Sequence, residues 1–215
     1  MANTETMTVH RVIAELKTID QRIEDKIEGT TFCRANKHAN KVIGGKPIAE
    51  FKVSVKSNTD SIMTLINRRN AMRRALMLSN ARTKVCINNH EYTVAEAIEM
   101  KNHGIQMLVM LRDEMVSQWK CQNDMVETEN GEKLTAKVDV YIAQSYGSKD
   151  VRTADASQAR ADYIQEQSYD LLDPLDLKQK IEELTDVIDK FRADVDAVLS
   201  ASNATTMVAF TYDIQ

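Results

Sequence analysis

A mainly α-helical fold is what this sequence predicts: long antiparallel helices in a bundle or coiled coil, with a small three-stranded β-sheet formed at helix ends. Three observations predict it. The 215 residues include only two prolines and six glycines, few enough for helices to run long without breaks. Apolar residues recur at three- and four-residue steps over much of the chain, the period of a helix with one buried face. Short alternating runs follow two of the longest periodic segments, at about residues 82–93 and 205–212, and alternation is the mark of a half-buried strand. The length suits a single helical domain over residues 1–215 with a real core.

Each element follows in order. Val9, Val12, Leu16, Ile19, Ile23 and Ile27 give an amphipathic helix over residues 8–28, ended by Gly29. Residues 30–48 have no period and hold Gly44, Gly45 and Pro47, which predicts a basic loop with room for a short strand. A second helix runs from about Ile48 to Ser79. "ARTKVCI" and "HEYTV", separated by Asn-Asn, form a hairpin. Thr93 with Glu96 three residues on is a capping box, opening a long helix at about Val94. Its stretch Ile105–Leu111 is apolar nearly all round, as expected for a subunit contact or a deep core position.

After a break at "ENGEK" the helical pattern resumes over residues 132–145. Residues 146–156 form an exposed loop, and residues 157–170 a short helix. Asp173 and Pro174 suit an N-cap and a first helical position. From there Leu177, Ile181, Leu184, Ile188, Phe191, Val195 and Val198 alternate at four and three residues, a coiled-coil seam.

Charge is laid down unevenly. The net charge is −4, yet residues 31–88 carry twelve Lys and Arg against Glu50 and Asp60. A +10 segment in such a chain needs an anionic ligand or an acidic half to fold against. The last helix, with Glu182, Glu183, Asp186, Asp189, Asp194 and Asp196, is the internal candidate.

The sharpest form of that choice lies in "RRNAMRRALMLSNARTKV", residues 68–85. Ile62, Leu65, Ile66, Leu76 and Met77 share one side of the second helix, and Arg69 and Arg73 fall in the middle of it, with Asn70 at the margin. Arg68 and Arg74 point elsewhere, as ordinary solvated charges. Guanidinium groups on an apolar face must be paired, because an unpaired buried charge costs several kcal/mol. Their partner is a protein carboxylate or a bound guest.

The same segment holds a repeat. Leu76–Val85 and Leu199–Val208 share Leu, Ser, Asn, Ala, Thr and Val in register, and each ends a long helix before a β-prone run. One reading is structural: Asn80 and Asn203 take the left-handed position at two helix stops, and the following strands join "HEYT" in one sheet. The other is functional. Ser79, Asn80, Arg82, Thr83, Lys84, Ser202, Asn203, Thr205 and Thr206 would line one polar pocket with Arg69, Asn70 and Arg73. Guanidinium forks suit phosphate, and amides and hydroxyls suit ribose or base edges.

Catalysis finds no footing. The four histidines form no i,i+4 pair and share no ligand spacing with Cys33, Cys86 and Cys121. Neither a Gly-x-Ser-x-Gly elbow, nor a Cys-His signature, nor a dinucleotide fingerprint is present. "GGKP" lacks the spacing of a phosphate loop. The reading is therefore not an enzyme, with no cofactor and no metal. Nucleic acid is disfavoured, since the basic segment offers only two phenylalanines, Phe32 and Phe51, for stacking. No stretch approaches a membrane span or a leader peptide, and three scattered cysteines fit a reduced cytoplasmic setting.

"RRNAMRRALMLSNARTKVCINNHEYTVAEAIEMKN", "DPLDLKQKIEEL" and the terminal "SNATT" resemble a family of helical proteins encoded by phages and prophages of Gram-positive bacteria. The resemblance covers nearly the whole chain, least between about residues 125 and 165. It extends loosely to proteins labelled septicolysin-like, although no segment reads as membrane-inserting. The family is also similar to anti-CBASS sponges, which sequester cyclic dinucleotide immune signals without cleaving them. That similarity implies a homotetramer in the host cytoplasm with nucleotide pockets at the two SNA-x-T-x-V junctions. The alternative is a phage structural or accessory interaction protein held by coiled-coil contacts, with the arginines clamping the acidic helix.

Overall fold

The computed structural model describes residues 2–215. It is mainly helical, and it divides into two compact units: one made of the chain up to Asn102 together with Lys190–Gln215, the other of His103–Asp189.

The first unit opens with a strand, β1 (Ala2–Thr8), which leads into α1 (Val9–Glu28). Thr8 caps α1, its hydroxyl accepting the amide of Arg11 at 3.2 Å, which satisfies one of the orphan donors of the first turn. Val9, Val12, Ile19 and Ile23 bury one stripe of α1. The basic loop contains the two-residue strands β2 (Val42–Ile43) and β3 (Lys46–Pro47), turned by Gly44 and Gly45 at positive φ, where glycine carries no steric penalty.

α2 (Ile48–Arg82) follows, then β4 (Lys84–Ile87) and β5 (His90–Thr93). Asn88 and Asn89, both at positive φ, close that hairpin with a two-residue turn matched to strand twist. The capping box at Thr93 and Glu96 is formed and starts α3 (Val94–Glu99). A π-helical turn, Met100–Gly104, joins α3 to α4 (Ile105–Thr128). At the far end of the chain α7 (Leu177–Thr205) delivers β6 (Met207–Asp213).

The second unit holds most of α4, a second π-helical turn at Glu129–Lys133, α5 (Leu134–Tyr146), α6 (Ala154–Gln167) and the start of α7. "ENGEK" interrupts the helix as expected: Gly131 has non-helical backbone angles, φ −78° and ψ −121°, and two helices meet there at a kink. Leu134, Val138 and Ile142 bury against Ala159 and Tyr163, and the rings of Tyr141 and Tyr163 stack at 4.6 Å. α7 begins three residues after Pro174, where the Asp173 carboxylate accepts the amide of Leu177 at 2.8 Å.

Two expectations are corrected. Among the described residues no three-stranded sheet forms: β6 pairs antiparallel with β1, and β4 with β5. Neither Asn80 nor Asn203 takes a left-handed conformation, because α2 continues to Arg82 and α7 to Thr205. Among non-glycine residues positive φ falls on Asn88, Asn89 and Asp176. The seam of α7 faces inward, with Ile188, Phe191 and Val195 buried.

The SNA-x-T-x-V repeat marks a larger structural repeat. Thr83 receives α2, its amide donating to Ser79, and Thr206 receives α7 in the same way from Ser202. The Thr83 carbonyl accepts the amide of Val94 and the Thr206 carbonyl that of Val9, each at 2.9 Å. Registers coincide: Lys84 faces Thr93 as Met207 faces Thr8, and Val85 faces Tyr92 as Val208 faces Met7. The buried positions also coincide, with Val85, Ile87, Val94 and Ala97 in one copy and Val208, Phe210, Val9 and Val12 in the other.

Each copy is thus a helix–strand–strand–helix module. In one the strands are joined by Asn88-Asn89; in the other they come from opposite ends of the chain. The π turn fits the comparison: Ile105 stands eleven residues beyond Val94, where Ile19 stands ten beyond Val9, and a π turn takes up one extra residue. Both isoleucines are buried.

Candidate functional site

The arginines of α2 meet carboxylates. α2 packs along α1 and β6, so its inner face looks onto acidic side chains of β1 and α1. Arg68 reaches Glu5 through two bonds, Nε to Oε1 at 2.9 Å and Nη2 to Oε2 at 2.7 Å, and donates a third to Glu15 at 2.5 Å. A two-pronged match of this kind is the strongest carboxylate contact a side chain makes. Tyr212 donates its hydroxyl to the same Glu5 at 2.6 Å. The Arg68 guanidinium holds the Glu5 carboxyl below its ordinary range, against the opposing effect of burial, and Glu5 and Glu15 raise the Arg68 pKa in return.

Arg69 and Arg73 share one acid. Both prongs of Arg69 go to Asp20, and Arg73 Nη2 donates to Asp20 Oδ2 at 3.2 Å. The Arg69 contact, foremost, pulls the Asp20 pKa down. Arg69 also donates to the Asn70 amide oxygen at 3.2 Å. An open groove of about 330 Å³ lies beside them, lined by Asp20, Ile23, Glu24, Ile66, Arg69 and Asn70. Two of its six lining residues are acids, which is poor lining for an anion.

Depth reverses the expected order. The Arg68 side chain is 16% exposed, Arg69 30% and Arg73 50%, so the arginine set aside as solvated is the most enclosed. Its counterpart in the repeat explains why. Where α2 offers Arg68 to the β1–β6 ribbon, α7 offers Phe191, whose ring meets Tyr92 of β5 edge-on at 6.0 Å. One ribbon is fastened by an ion-pair clamp and the other by aromatic contact. The acids come from β1 and α1, not from the acidic last helix. Glu5, Glu15, Asp20 and Tyr212 were missed because β1 shows no apolar alternation and pairs across more than 200 residues of sequence.

The junction residues form two separate sets. Ser79, Asn80 and Thr83 are half-buried and Arg82 and Lys84 exposed; Ser202, Asn203 and Thr206 are half-buried and Thr205 exposed. Lys84 pairs with Glu91 at 2.6 Å, and Thr205 donates back to Ala201 at 3.0 Å. Among the described residues no hydrogen bond or ion pair joins one set to the other, or either to Arg69 and Arg73. Ten residues of helix put Arg69 roughly 15 Å along the axis from Ser79.

Other chemistry is bounded by three facts about the described residues. No group of three or more His, Cys, Asp or Glu could hold a metal ion. Every buried side-chain nitrogen or oxygen has a hydrogen-bond partner. No helix is long and apolar enough to cross a membrane. Compared with protein-family models, curated proteins and solved structures, the chain matches none of them.

Proposed function

We propose that this protein acts by binding and assembly without catalysis, as an accessory interaction protein of the phage-encoded kind that its sequence resembles. The observation that carries this reading is the pairing of Arg68, Arg69 and Arg73 with Glu5, Glu15 and Asp20. The cations on the apolar face are spent on holding β1 and α1 against α2, so no guest is needed to neutralise them. At the same time Met107, Met110 and Leu111 of α4 are 61%, 58% and 47% exposed, and contiguous exposed apolar side chains mark contact surfaces. Sedimentation velocity over a range of protein concentration tests it. Reversible self-association that weakens in Met107→Asp/Met110→Asp supports the reading; a monomer at every concentration, with no co-purifying protein, removes it.

The sponge reading keeps one specific support. Asn80 and Asn203, with Ser202, are half-buried at equivalent junctions and their side chains bond to no described residue, so an amide at each junction and the Ser202 hydroxyl are open to a ligand. Calorimetry against a panel of cyclic dinucleotides decides it. Heat with wild type that is lost in Asn80→Ala/Asn203→Ala places the ligand there, whereas no heat across the panel ends this reading.

A further inference from the structure

A second charged surface is used by nothing described so far. Between residues 30 and 56 stand Arg34, Lys37, Lys41, Lys46, Lys52 and Lys56, against Glu50 alone. All six cations are exposed, and among the described residues none forms an ion pair. This differs from α2 a few turns on, where Arg68, Arg69 and Arg73 all find carboxylates. The cations are interleaved with exposed apolar side chains: Phe32 beside Arg34, Val42 beside Lys41, and Val53 beside Lys52 are 46%, 50% and 68% exposed. The ribbon of β2 and β3 carries Lys41, Val42 and Lys46 at its turn. It is an arm that combines charge with small apolar contacts.

What could such an arm meet? The other unit has the opposite character. Residues 103–189 hold nine Lys and Arg against eighteen Asp and Glu, a net −9. On α7 in that unit lies an open groove of about 530 Å³, lined by Gln179, Ile181, Glu182, Glu183, Thr185 and Asp186. Its lining has one isoleucine and three carboxylates. Lys180 draws the Glu183 carboxyl down, so it is firmly ionised.

We infer that the arm of one copy docks on the acidic α7 groove of a second copy, Val42 toward Ile181 and Lys41 and Lys46 toward Glu182 and Glu183. The inference rests on the assembly reading above and adds a second contact to that of α4. A nucleic acid or an anionic membrane is the weaker occupant, because a chain of net charge −4 lacks the overall basic field that draws a polymer of phosphates. A second copy offers that acidic unit as the target. Reciprocal exchange of two arms between two copies closes the assembly, as two-fold dimers do.

Charge reversal with rescue tests it. Arm-reversed protein (Lys37→Glu, Lys41→Glu, Lys46→Glu) and groove-reversed protein (Glu182→Lys, Glu183→Lys) are each compared with wild type by sedimentation velocity at 0.1 M and 1 M NaCl. Screening shortens from about 10 Å to about 3 Å over that range. Wild-type association is expected to weaken about tenfold or more with the added salt, to fall in each reversed protein alone, and to return on mixing the two. These substitutions are at exposed positions, and circular dichroism of each variant checks that the fold is kept. Three results overturn the inference. Association that ignores both salt and arm reversal leaves assembly standing and moves its contact elsewhere. A wild-type monomer at 0.1 M salt removes contact and assembly together. Nucleic acid retained by wild type and released by arm reversal, without self-association, assigns the arm to that polymer.

Discussion

Arg68→Ala is the substitution that this structure ranks as most informative. It removes three charge-assisted bonds at once, leaving Glu5 with Tyr212 and Glu15 with Arg11, which donates to it at 3.3 Å. The Glu5 and Glu15 side chains are 26% and 27% exposed, between the surface and buried cases. Exposed pairs contribute about 0–1 kcal/mol and breaking a buried one costs about 3–5 kcal/mol, so a loss of about 2 kcal/mol is expected. Urea unfolding at pH 7 measures it as a lower midpoint with an unchanged slope. Arg74→Ala, whose side chain is exposed and forms no ion pair among the described residues, should stay within about 0.5 kcal/mol.

The pH dependence gives a second handle on the same clamp. The folded pKa of Glu5 lies below its ordinary value of 4.5, so the unfolded state binds its proton first as pH falls. The stability it contributes is therefore complete above about pH 4.5 and is lost as pH drops through the lowered folded value. The gap between wild type and Arg68→Ala should narrow over that window. A loss under about 0.5 kcal/mol at pH 7, the level of an ordinary surface substitution, or a gap that does not change with pH, would refute the clamp.

Other substitutions probe the repeat and the core. Thr8→Ala and Thr93→Ala remove equivalent N-caps, and each should cost about 1 kcal/mol in urea unfolding; a large loss at only one would deny the equivalence. Met72→Ala empties a fully buried position and should cost about 2–5 kcal/mol, whereas Met77→Ala, 72% exposed, should stay within about 0.5 kcal/mol. Asn88→Ala/Asn89→Ala forces two positive-φ positions onto residues that tolerate them poorly, and hydrogen exchange should show the β4–β5 ribbon opening more often while β1–β6 is unchanged.

What could be read in advance follows the reach of each interaction. α1, α2 and the β4–β5 hairpin are encoded locally, by apolar period, by a capping box and by an Asn-Asn turn, and they lie where expected. β1 was invisible because Asn3 and Glu5 occupy its inward positions and its pairing partner is β6, at the other end of the sequence. That omission also misassigned the arginines: without β1 there is no Glu5, and Arg68 looks solvated. The repeat was legible as six shared residues, yet its meaning was not. Asn80 and Asn203 stand two residues before their helices end, so Thr83 and Thr206 do the work that the sequence assigned to asparagine.

The two ribbons differ in when they can exist. Hairpins closed by a short turn form in about 1–10 μs, so β4–β5 is available as soon as it leaves the ribosome. β1 must wait for β6, roughly 200 residues later, which at 5–20 residues per second is roughly 10 to 40 s. Throughout that interval Val9, Val12, Ile19 and Met72 lack the Val208 and Phe210 that finally cover them. Nascent chains are thus most exposed to chaperones, and to one another, on the very face that the Arg68 clamp later seals.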